Sequence, residues 1–121
     1  MARRLALAVL LAALAAGPLA LAAQEQAPNR REFTIVARDY RFTPDRIEVS
    51  QDDIVRITLR SDDIPHSFAI DAYRIAKRVA GGQTVSFEFR ADQPGTFTFY
   101  CSLTSDERCQ EMKGTLVVRP K

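Results

Sequence analysis

The chain has no tryptophan and, across 121 residues, a single histidine, His66. One imidazole leaves nucleophilic cysteine catalysis without both the base and the orienting group it needs. Cysteine is nearly as scarce, with only Cys101 and Cys109, and the methionines are Met1 and Met112. No glycine-rich phosphate loop is present, and Gly81-Gly82 reads as a turn. Excess charge is missing as well. Without Arg3 and Arg4, 15 basic residues balance 15 acidic ones, so binding to nucleic acid has no electrostatic support. The carboxylate pairs Asp52-Asp53 and Asp62-Asp63 fall in predicted turns, where solvation is expected rather than catalysis. No hydrolytic constellation emerges, and the expected function is not enzymatic.

What is present begins with an export signal. Arg3 and Arg4 form a basic start, Leu5 to Ala16 an unbroken apolar run, and Ala20-Leu21-Ala22 a small-x-small cleavage site, so 1–23 reads as a signal peptide. An uncleaved anchor is the alternative, which Gly17-Pro18 disfavours by breaking the run. A periplasmic or secreted location follows, and twin-arginine export rests on the arginine pair alone. No second apolar stretch of spanning length occurs, so no stable membrane insertion is expected once the signal is cleaved. Residues 24–31 read as a flexible lead-in and 32–121 as one domain. A domain of that size buries one modest core, and a metal or disulfide would help hold it.

From Glu32 onward, short apolar runs alternate with turn signals every eight to twelve residues, an all-β pattern. The predicted strands are Phe33 to Ala37, Arg46 to Val49, Ile54 to Leu59, Ser67 to Ile70, Thr84 to Phe89, Thr96 to Tyr100 and Gly114 to Val118. Val55, Ile57 and Leu59 share one face, as do Val85, Phe87 and Phe89, so each of these strands has a buried and a wet side. Thr43-Pro44-Asp45, Gln51-Asp52-Asp53 and Gln93-Pro94-Gly95 supply turns between runs. One short helix is predicted around Ser105 to Gln110, with Ser105 as its cap. The expected architecture is a single Greek-key β-sandwich with a short helical turn.

Four residues at one end of that sandwich carry ligand chemistry. His66 follows Ile64-Pro65 at the mouth of a strand, where proline restricts the incoming backbone. The alternation Phe97, Phe99, Cys101 points one sulfur inward beside aromatic packing. Cys109 and Met112 lie three apart on the return toward Gly114. Taken singly, the histidine reads as an ordinary polar residue and the methionine as core filler.

The stretch Ile64-Pro65-His66-Ser67-Phe68, the following Tyr73-Arg74-Ile75-Ala76-Lys77-Arg78, the approach Ala91-Asp92-Gln93-Pro94-Gly95 through Tyr100-Cys101, and Met112-Lys113-Gly114 resemble the cupredoxins. More narrowly, they resemble the copper domain of cytochrome c oxidase subunit II and its small periplasmic relatives, over about Phe33 to Arg119. The oxidase pattern reads Cys-x3-Cys-x3-His-x2-Met. In that register Ser105 stands at the second bridging cysteine and Cys109 at the second histidine. The binuclear centre therefore lacks its ligands. What the resemblance implies is a mononuclear site of His66, Cys101, Cys109 and Met112 for one copper ion, Cu(I) or Cu(II). Its sulfur-rich set favours Cu(I), and methionine is an unusual zinc ligand. The implied roles are electron transfer or copper carriage to a redox or copper-transfer protein, with Arg74, Lys77 and Arg78 as a partner-docking rim if they lie near the site. An alternative stays open: in an exported protein Cys101 and Cys109 form a disulfide, and the domain is a metal-free structural or adaptor module.

Overall fold

A computed structural model of the chain describes residues 28–121. The signal segment 1–23 and lead-in residues 24–27 lie outside the described residues. Nine strands follow in order: β1 (Arg30–Arg38), β2 (Arg41–Thr43), β3 (Arg46–Ser50), β4 (Ile54–Ser61), β5 (His66–Ile70), β6 (Ile75–Val79), β7 (Thr84–Arg90), β8 (Gly95–Tyr100) and β9 (Lys113–Arg119). They form a four-stranded sheet, β2-β1-β4-β7, and a five-stranded sheet, β3-β9-β8-β5-β6. The expected all-β sandwich is what the chain forms, and every predicted run lies in a strand.

Alternation sets the buried faces. Val55, Ile57 and Leu59 are wholly buried on β4, while Arg56 and Arg60, on the alternate positions, are exposed. They meet Phe68 and Ile70 of β5, Phe99 of β8 and Leu116 of β9 in one core. At its centre Phe68 stacks on Phe99 with centroids 4.8 Å apart, and Phe42 meets both rings edge-on.

β1 begins at Arg30, so Arg30 and Arg31 of the lead-in pair with Ile54 and Val55 of β4. β2 and β6 are additional to the predicted strands. Both sit at sheet edges, where backbone pairing with one neighbour defines the strand and side-chain burial says little. The helical segment is a 3-10 turn, Glu107–Glu111, capped by Asp106 rather than Ser105: the Arg108 N–H donates to Asp106 Oδ1 at 3.1 Å.

Candidate metal centre

His66 opens β5, and the period of two puts it on the core side with Phe68 and Ile70. It is wholly buried. Its ring is held by Asp63, three residues upstream, whose Oδ1 accepts from Nε2 at 2.7 Å. That carboxylate also accepts the Asp39 N–H on Oδ2 at 2.8 Å and the Ile64 N–H on Oδ1 at 2.8 Å. Partial burial by itself would raise the Asp63 carboxyl. The hydrogen bonds from Asp39, His66 and Ile64 outweigh it and hold the group below the usual carboxylate range. An ionised Asp63 only accepts, so Nε2 carries the proton it donates and Nδ1 faces the other way. Nδ1 is buried and has no hydrogen-bond partner among the described residues.

Around this imidazole the fold gathers the sulfur residues. Cys101 is fully buried just beyond β8, and Cys109 and Met112 are each about 1% exposed. Cys101 and Cys109 are joined by a disulfide, with Cα atoms 5.3 Å apart. The Cys101 N–H donates to the Met112 carbonyl at 3.2 Å, and the Met112 N–H to the Cys109 carbonyl at 3.0 Å. Ser67, next to His66, sends its N–H toward Cys101 Sγ at 3.4 Å and its hydroxyl toward the same atom at 3.7 Å. All four expected ligand residues therefore line one end of the sandwich.

The docking trio is not gathered in the same way. Arg74 follows the 3-10 turn Asp71–Tyr73 beyond the Ile70 to Ile75 pair, the far end of the β5–β6 hairpin from His66 and Val79. Four residues of strand, roughly 13 Å, separate the two ends. Lys77 places its ammonium 5.8 Å from the Phe87 ring centroid. Arg78 pairs with Ser67 and alone sits one register position from His66.

Two contributors were not expected. Asp63 was read as solvated; its carboxylate is the group that orients His66, and the Asp-x-x-His spacing is the only sequence signal for it. Tyr40 is the other. It sits with Asp39 in the two-residue turn between β1 and β2, both at positive φ, 52 and 59 degrees. A tyrosine there is strained by ~1 kcal/mol or more. Its contacts offset that: the hydroxyl donates to Asp106 Oδ2 at 2.8 Å, the Arg108 guanidinium lies 4.1 Å over the ring, and the ring meets His66 edge-on at 6.1 Å. The hydrogen bond to Asp106 raises the Tyr40 hydroxyl above its ordinary pKa, with burial and the Asp106 charge adding and Arg108 opposing. Asp53, also read as solvated, is buried and accepts the Ser50 N–H at 2.9 Å as a turn brace.

Copper can be tested against these residues. With the disulfide closed, the donors left at this end are His66 Nδ1 and the Met112 thioether, and among the described residues no cluster of three His, Cys, Asp or Glu side chains is placed to hold a metal. The disulfide form does not fit the ion. Reduction, taking two electrons and two protons, would yield two thiols at the same end of the sandwich as His66 and Met112, and donors of these types suit a soft ion.

The fold is a two-sheet sandwich with a buried imidazole and three buried sulfur residues. A family model for the cupredoxin-like domain matches residues 7–118, and the chain belongs to that family. It is 27% identical over 106 residues to cytochrome c oxidase subunit 2 of Thermus thermophilus, covering 85% of this chain and 78% of that protein. It is 30% identical over 83 residues to nitrous-oxide reductase of Stutzerimonas stutzeri, covering 65% of this chain but only 13% of the reductase. Among solved structures, auracyanin A, a "blue" copper protein of Chloroflexus aurantiacus, superposes with a TM-score of 0.63 at 18% identity, covering 75% of this chain and 100% of its own. The fold is thus that of copper proteins.

Proposed function

We propose that this protein is an exported cupredoxin that, in its dithiol form, binds one copper ion through His66, Cys101, Cys109 and Met112. It passes electrons or copper to a protein partner and makes no bonds itself. The observation carrying this reading is His66 Nδ1, a buried nitrogen on the ring that Asp63 holds through Nε2, and one that no group among the described residues satisfies. Burying such an atom unpaired is unfavourable, and a metal bond would satisfy it. The copper, when bound, supplies the one-electron couple. The chain's own residues hold the imidazole in one orientation, present the Ser67 N–H and O–H to Cys101 and keep water from the sulfurs. Export accords with the disulfide, since oxidising compartments favour it. Among the described residues no helix is long and apolar enough to cross a membrane.

The test is an anaerobic titration of the reduced protein with Cu(I), followed by mass analysis and by oxidation with optical and spin-resonance spectra. About one copper retained per chain, lost in His66→Ala, is expected. Failure of the reduced protein to retain copper would overturn the reading. A second reading, a metal-free adaptor domain locked by Cys101 and Cys109, is favoured by the closed disulfide. Intact mass of protein taken from its native compartment, with and without reductant, separates them: a disulfide in every molecule favours the adaptor, and bound copper or free thiols count against it.

A further inference from the structure

We propose that the groove beside the β1–β2 turn is a docking surface for an acidic segment of a partner protein. The groove encloses about 500 Å3 and is lined by Arg38, Asp39, Tyr40, Arg41, Thr43 and Arg108. Arg38, Arg41 and Arg108 border one opening, with Asp39 in the lining and Asp106 and Asp63 beside it held in hydrogen bonds to Tyr40 and to the Asp39 N–H. Asp39 lies 4.0 Å from Arg38, and Asp106 is turned to the Tyr40 hydroxyl and the Arg108 N–H. Among the described residues Arg41 and Arg108 have no ion-pair partner. Arginine forks around an aromatic ring match carboxylates in pairs and are typical of residues that dominate protein interfaces.

The surrounding geometry favours a protein segment over a small ion. All three arginines are exposed, so none is desolvated enough to grip a free anion, whereas a strip of carboxylates engages several at once. Lys77 and Arg78 lie instead along the edge strand β6, with Lys77 drawn to Phe87, and Arg74 precedes it at the end of a 3-10 turn.

This surface is also joined to the centre. Arg108 immediately precedes Cys109, and Asp106 anchors it over Tyr40, so the groove's third cation is delivered by the loop that the disulfide closes. On the other side, the Asp39 N–H binds Asp63, the residue that holds His66. A partner seated here touches both supports of the imidazole and sulfur cluster. The surface exists in the disulfide form, so the proposal holds whether or not the dithiol form takes copper.

Amide chemical-shift mapping of the protein as isolated, in its disulfide form at low ionic strength, with a synthetic hexaglutamate peptide as the probe, tests it. The largest shifts are expected at Arg38 to Arg41 and at Arg108. Arg38→Glu and Arg41→Glu should each weaken the peptide roughly fivefold, Arg74→Glu by less than about twofold, and about 0.15 M salt should remove most of the binding. The absence of saturable binding, shifts centred on Arg74 to Arg78, equal weakening by Arg74→Glu, or inorganic phosphate binding the groove as tightly as the peptide would each overturn the proposal.

Discussion

Opening the disulfide between Cys101 and Cys109 should cost the domain a large share of its stability. The bond closes a loop with a sequence separation of 8. Chain-entropy reasoning assigns such a loop about 2.5 kcal/mol, because the reduced unfolded chain regains the freedom the bond denied it. Both sulfurs lie in the core, and the loop between them carries Asp106 and Arg108, whose contacts with Tyr40 depend on loop position. For a domain of this size, that loss corresponds to a fall in Tm of roughly 10 to 20 °C. The assay is thermal unfolding by circular dichroism of oxidised protein against protein refolded in reductant, with a Cys101→Ala/Cys109→Ala variant as a second route. The variant should fall slightly further, since it also removes two buried sulfurs. A fall of less than about 3 °C in both would show that packing closes the loop without the bond, and would refute the entropic account. Adding Cu(I) to the refolded dithiol protein should recover part of the loss by mass action if the proposed ligands are right.

Asp63 predicts a pH dependence. Its folded carboxyl lies below the ordinary value near ~3.9, so the stability it contributes is complete above about pH 4 and disappears as pH falls through the folded value. Asp63→Asn should flatten that part of the acid limb in a plot of Tm against pH, and an unchanged limb would mean that Asp52, also shifted downward, accounts for it. Gly114→Ala tests packing at the start of β9: a Cβ there would be built into the Phe99 ring and lie 2.8 Å from the Asp45 carbonyl. Urea denaturation should register a loss of about 2 kcal/mol or more, and a neutral result would mean the Phe42, Phe68 and Phe99 cluster yields more freely than its stacking implies.

Much of the fold was legible because β4 and β7 alternate between core and solvent, and alternation is a local property of the chain. β2 and β6 were not legible. Ala76, Lys77 and Arg78 are exposed, so β6 has almost no burial pattern and is a strand only because β5 lies beside it. The same distinction runs through the site. Cys101 was readable as an inward sulfur from Phe97 and Phe99, while Asp63 looked like any turn carboxylate until the chain brought His66 against it. Tyr40 gave no signal at all, since nothing local predicts a tyrosine at positive φ.

By itself, then, the sequence determined the strand-forming runs and the all-β class, which follow from residue type and spacing and which folding does not alter. The expected ligand set and the lack of ligands for a two-copper centre came from the resemblance to the cupredoxins. Tertiary structure alone decided that Cys101 and Cys109 are close enough to bond, that Asp63 orients His66, and that Arg108 crosses to Tyr40 to complete a basic groove. Of these, the crossing of Arg108 to Tyr40 joins segments far apart along the chain and exists only once the two sheets have packed. The other two contacts are short in sequence, but their loops take the conformations that close them only when the strands on either side are in place.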